Sequence, residues 1–102
     1  MNIVIIEDET QTARDIISTL SQIRPTYRVR ANLDSIEQAL EWFAKNESPD
    51  LIISDIHLGD GLAFSIFKKI DMHCPIIFCT AYNEYAMQAF ETNGIDYILK
   101  PV

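Results

Sequence analysis

Five polar side chains stand directly behind short apolar runs. Glu7 and Asp8 follow Ile3-Val4-Ile5-Ile6, and Asp55 follows Leu51-Ile52-Ile53-Ser54. Thr80 follows Ile76-Ile77-Phe78-Cys79, and Lys100 follows Tyr97-Ile98-Leu99. Three carboxylates brought together repel, and each then tends to take up a proton. A hard divalent cation removes that conflict. Magnesium takes oxygen ligands in an octahedron, keeps several waters and needs only one or two carboxylates. Asp8 and Asp55 suit direct ligation, and Glu7 suits ligation through water. Lys100 adds a positive point charge. A cation, a lysine, the Thr80 hydroxyl and a nearby backbone N–H around one carboxylate are what phosphoryl transfer to that carboxylate requires, since such transfer is mainly positioning and charge stabilisation. Asp55 is then the nucleophile, and the product an acyl phosphate.

That chemistry needs elements that bring the runs to one edge. Leu51 to Ile53 is continuously apolar, as suits a strand covered on both faces in the middle of a parallel sheet. Ile3 to Ile6 has the same character. Tyr27, Val29 and Ala31 alternate with Arg28 and Arg30, which predicts an edge strand with one wet face. Cys74 to Cys79 and Ile95 to Leu99 predict two more strands. Between them the apolar period becomes helical. Ala13, Ile16, Ile17, Leu20 and Ile23 mark a first helix, stopped near Pro25. Asp34 opens a second in a capping box with Glu37, and Asn46, Ser48 and Pro49 end it. Leu62, Ala63, Ile66, Phe67 and Ile70 mark a third. Asn83 caps a fourth, with Ala86, Met87, Ala89 and Phe90 inward and Gly94 as its C-cap glycine. Strands alternating with helices predict an α/β fold with right-handed crossovers and a parallel sheet covered on both sides. All strand ends then share one edge, where open α/β sheets bind ligands. No helix follows the fifth strand, so a patch near the first and fifth strands is expected to be left for another segment or a partner.

The 102 residues, 48% of them hydrophobic, fit one domain without room for a second. A net charge of −7 with scattered Lys and Arg argues against nucleic-acid binding by this domain itself. No apolar run is long enough to cross a bilayer, and no signal sequence opens the chain. Cys74 and Cys79 read as reduced, buried thiols of a cytoplasmic protein.

The set Glu7-Asp8, Asp55, Thr80-Ala81 and Lys100-Pro101 resembles, in order and spacing along the whole chain, the receiver domain of two-component response regulators. The resemblance implies a flavodoxin-like (CheY-like) three-layer fold, strand order 2-1-3-4-5, with the final helix missing from residues 1–102. It implies phosphorylation of Asp55 by a sensor histidine kinase with Mg2+, held by Glu7, Asp8, Asp55 and the backbone carbonyl of His57. Thr80, Ala81 and Lys100 would bind the phosphate. Thr80 and the aromatic at Tyr97 would switch the face of the fourth helix and fifth strand, a face that also offers a homodimer contact. Lys100-Pro101 would be a cis peptide. The domain would be a signalling module, catalysing at most its own phosphorylation and dephosphorylation. The stretch from Thr80 to Phe90, with Asp96 to Pro101, is similar to receivers that carry a LytTR-type DNA-binding output domain, which this chain does not contain.

Two positions depart from the family pattern. Many receivers have a longer, proline-containing loop after the phosphorylated Asp, and the first acid is commonly Asp rather than Glu7. His57 and Tyr82 sit beside the expected path of an attacking water. Taken singly, Asp8 reads as a helix cap, Thr80 as a loop hydroxyl, Lys100 as a surface lysine and Tyr97 as a packed strand aromatic. Only the joint pattern points to function. A dehalogenase-type phosphatase wants a second Asp where His57 stands. A flavin carrier wants a hydroxyl-rich phosphate loop where Glu7-Asp8-Glu9 stands. A non-phosphorylated interaction module keeps the fold and loses the magnesium response.

Overall fold

The computed structural model describes residues 1–70, 73–81 and 94–100. Five strands form one parallel sheet: β1 (Asn2–Ile6), β2 (Arg28–Leu33), β3 (Leu51–Ser54), β6 (Ile76–Thr80) and β7 (Gly94–Leu99). Their spatial order is β2-β1-β3-β6-β7, so β6 and β7 are the fourth and fifth strands of the expected 2-1-3-4-5 arrangement. The order reverses at β1 and β3, the switch point where such sheets leave a crevice at their carboxyl ends. Strands β4 (His57–Leu58) and β5 (Gly61–Leu62) form a separate antiparallel ribbon just beyond β3.

The helices are α1 (Thr10–Ile23), α2 (Ile36–Lys45) and α3 (Phe64–Lys69). Val4, Ile6, Ile52, Ile76 and Phe78 pack with Phe43, Phe64 and Ile66 in one core. Phe78 meets Phe64 at 5.3 Å and Phe67 at 6.0 Å between ring centroids. Most of these side chains are wholly buried. Each contributes on the order of 1.5–3 kcal/mol, which is what holds the backbone of the strand ends still.

Among the described residues the opposite face is only partly covered. Helix α1 lies along it, with Ala13 buried and Ile16, Ile17 and Leu20 half-buried. Beside α1 an apolar groove of about 720 Å³ is lined by Ile16, Leu20, Ile53, Ile77, Cys79 and Ile98. The open patch among the described residues therefore lies over β3, β6 and β7, so it reaches the fifth strand as expected but is centred on the third and fourth rather than the first. Among the described residues no helix is long and apolar enough to cross a membrane.

Several element bounds differ from the sequence reading. Ser35, not Asp34, is the N-cap of α2: its hydroxyl accepts from the Gln38 amide at 3.0 Å, and the Gln38 side chain accepts from the Asp34 amide at 2.7 Å. Asp34-x-x-Glu37 and Ser35-x-x-Gln38 both fit a capping box; the second supplies the cap, with its reciprocal bond shifted to the amide before the N-cap. Gly94 opens β7 opposite Ile76, and the helix it is expected to cap lies outside the described residues. The third helix begins at Phe64, because Gly61 and Leu62 are drawn into the ribbon. The expected fourth helix from Asn83 and the Lys100-Pro101 peptide lie outside the described residues.

Candidate functional site

The strand register explains why the polar ends meet. Ile6 is level with Ser54, so the residues that follow, Glu7 and Asp55, leave the sheet side by side. The Asp55 amide donates to the Ile6 carbonyl at 2.8 Å, and the Glu7 amide to the Leu33 carbonyl at 2.9 Å. On the far side Thr80 is level with Leu99, and the Lys100 amide donates to the Thr80 carbonyl at 2.7 Å. Glu7, Asp55, Thr80 and Lys100 are thus fixed at their backbones by the strand next door.

Lys100 crosses the edge to reach two acids. Its ammonium donates to Oε1 of Glu7 at 2.5 Å and to Oδ2 of Asp55 at 3.0 Å. The other oxygens are held as well. Oε2 of Glu7 accepts from the Glu9 amide at 3.2 Å, and Oδ1 of Asp55 from the Ile56 amide at 2.6 Å. Glu7 is 2% exposed, Asp55 half-buried and Asp8 exposed. Burial, with the charge of Asp55, holds the Glu7 carboxyl above its ordinary range, although the bonds from Lys100 and the Glu9 amide pull the other way. Burial also works against the charged form of Lys100, but its bonds to Glu7 and Asp55 outweigh that and raise its pKa.

Glu7, Asp8 and Asp55 each offer one oxygen, all within 4.8 Å of one another. Three hard oxygen donors graded from buried to exposed fit magnesium, with the exposed side left to water. The residues present therefore suit such a cation.

His57 is half-buried in the ribbon just beyond Asp55. Thr80 closes β6 and is wholly buried, so its hydroxyl is not offered at the surface. Ala81 is exposed and lines the groove with Lys100. Tyr97 lies in β7 with its backbone opposite Phe78. Glu7, Asp8, Asp55 and Lys100 are thus gathered as the sequence pattern required. Cys74 and Cys79 are buried and form no disulfide, and burial pushes both thiols up.

Sequence reasoning missed Asp60. Its Oδ1 accepts from the Ile36 amide at 2.9 Å and its Oδ2 from the Glu37 amide at 3.2 Å, tying the loop after Asp55 to the start of α2. The amide of Ile36 above all holds that carboxyl below its usual range. The Asp60-Gly61 pair signals a turn, but nothing local signals its partner.

Residues 3–102 match the family model described as the response regulator receiver domain. The chain is similar to a sensory transduction protein LytT of Bacillus anthracis, 40% identical over 101 residues, 96% of this chain and 41% of that protein. It is similar to a transcriptional regulatory protein LytR of Staphylococcus aureus strain N315, 36% identical over 104 residues, 99% of this chain and 42% of that one. Among solved structures, a two-component response regulator from Clostridium difficile superposes with a TM-score of 0.84 at 27% identity, covering 100% of this chain and 84% of that one. The chain spans about two fifths of the length of the curated relatives it matches.

Proposed function

The chain belongs to the family of response regulator receiver domains, of the LytT/LytR type, and from that membership we propose that Asp55 accepts a phosphoryl group from a sensor histidine kinase. One observation carries the reading most: a single ammonium, that of Lys100, bonds both Glu7 and Asp55 while Asp8 stands within reach of both. A carboxylate at a rigid strand end, next to a cation and two further acids, is a nucleophile with its charge partners already in position.

In this reading a carboxylate oxygen of Asp55 attacks phosphorus, the bond from phosphorus to the donor nitrogen breaks, and an acyl phosphate forms. Glu7, Asp8, Asp55 and the His57 carbonyl hold Mg2+, which when bound neutralises charge on the phosphoryl oxygens. Lys100 moves its ammonium from the carboxylate to the phosphate without leaving the edge. The Thr80 hydroxyl and the Ala81 amide take further oxygens. Drawing Thr80 towards the phosphate vacates space for Tyr97, and the face of the fourth helix and of β7 changes. The domain is a signalling switch, at most catalysing its own phosphorylation and dephosphorylation.

Residues 1–102 act as a receiver domain, and the groove beside α1 is the seat of a further covering helix. The switched face controls a LytTR-type DNA-binding output domain outside this chain and offers a homodimer contact. The names of the relatives, sensory transduction and transcriptional regulatory proteins, support this. The protein works in the cytoplasm, where its kinase partner presents the phosphoryl donor.

The test is beryllofluoride or acetyl phosphate with Mg2+, read by mass and by Trp42 fluorescence. The native protein responds and Asp55→Asn does not. If the two behave alike, the reading fails and a non-phosphorylated interaction module with the same fold takes its place.

A further inference from the structure

We propose that Asp60 is a positioning residue for the cation site: by closing the start of α2 it fixes the loop that carries the His57 carbonyl. This rests on the receiver reading above, in which that carbonyl ligates Mg2+.

The loop from Asp55 to Ala63 is anchored at both its base and its tip. At the base, Oδ1 of Asp55 accepts from the Ile56 amide, and the Ile56 carbonyl accepts from the Ala63 amide at 2.8 Å. Ile56 and Leu58 are buried, and His57 and Leu58 pair with Leu62 and Gly61 across the ribbon. At the tip, Gly61 turns with φ +139°, and a Cβ there would meet Cδ1 of Ile36 at 3.0 Å. Asp60 spans from this tip to the first two amides of α2. His57 lies between the anchors. With base and tip both fixed, its backbone has little freedom; with the tip released, the base and the ribbon pairing hold it less tightly.

The competing account makes Asp60 a helix cap and nothing more. Ser35 separates the two accounts. It caps the same helix through the Gln38 amide but belongs to the segment after β2, not to the Asp55 loop. Loss of either acceptor weakens α2. Only loss of Asp60 unties the loop.

The experiment titrates Mg2+ by calorimetry and measures thermal midpoints for the protein, Asp60→Ala, Asp60→Asn and Ser35→Ala. Both alanine variants melt lower. Asp60→Ala weakens Mg2+ binding about tenfold, the usual effect of removing a group that orients a metal ligand. Asp60→Asn, which keeps one acceptor oxygen, recovers part of the loss, and Ser35→Ala binds as the native protein does. Unchanged Mg2+ affinity in Asp60→Ala, or an equal loss in Ser35→Ala, overturns the inference while leaving the receiver reading intact. A native protein that binds no Mg2+ overturns both.

Discussion

The Lys100 ammonium donates to the buried carboxylate of Glu7 across nearly the whole length of the chain, at 2.5 Å. The same ammonium is 3.0 Å from Asp55. Lysine therefore supplies the positive charge that the acidic cluster needs, and a divalent cation at the same cluster must share Glu7 and Asp55 with it. Two like charges a few ångströms apart oppose each other, by roughly 4 kcal/mol at 4 Å for unit charges at a surface-like dielectric and less once water and salt screen them.

Lys100→Met keeps much of the stem and removes the charge. The expected result is tighter Mg2+ binding, by roughly tenfold, about 1.4 kcal/mol. Without Mg2+ the variant is less stable by about 1–3 kcal/mol, because Glu7 is left buried beside two acids with its strongest donor gone. Calorimetric titration and urea denaturation check the two signs. Weaker Mg2+ binding in the variant would show that lysine helps to build the cation site rather than compete for it.

The same crowding sets a pH dependence. Burial first, and Asp55 next, raise the Glu7 carboxyl above its ordinary 4.5. The folded state therefore holds a proton that the unfolded chain has already lost. This stabilisation is fully present below the ordinary value and is lost as pH rises through the raised one. Glu7→Gln has no such proton to lose. Denaturation midpoints from pH 4.5 upward should fall in the native protein relative to Glu7→Gln, and saturating Mg2+ should shrink the difference by favouring the ionised carboxylate. Parallel pH profiles would mean that Lys100 offsets the burial of Glu7 completely.

The positions of Glu7, Asp55 and Lys100 were legible in the sequence because each follows an apolar run, and a run buried on both faces has only one way to end. Parallel pairing then makes the ends meet, as Ile6 beside Ser54 does. Local choices between equals were not legible. Asp34 and Ser35 are both good N-caps, each with an acid or amide at the right spacing, and only the packed chain selects Ser35. The tie from Asp60 to Ile36 and Glu37 spans 24 and 23 residues, so no periodicity or turn signal encodes it. The groove was expected from the count of helices, but its place over Ile53, Ile77 and Ile98 depends on which side α1 takes.

Thr80 tests whether cation binding and switching are separate events. It is wholly buried, and its carbonyl holds the Lys100 amide at 2.7 Å. The backbone of Thr80 thus already serves the site, whatever its side chain does. Thr80→Val keeps that backbone bond and most of the side-chain volume while removing the hydroxyl. The acids that gather at the cation site and the Lys100 ammonium contacts to Glu7 and Asp55 are made by other side chains, so Mg2+ titration should match the native protein. The response to beryllofluoride, by contrast, should fall if the hydroxyl must take a phosphoryl oxygen for the switch to turn. The cost in stability should stay within about 1–3 kcal/mol, the range for losing a buried hydrogen-bonding group, and Thr80→Ser should restore the response. Fluorescence and chemical-shift changes on adding beryllofluoride to the three proteins decide it. A full response in Thr80→Val would place the switch elsewhere on the edge, with Lys100 as the next group to test, since it alone bridges β7 to both Glu7 and Asp55 among the described residues.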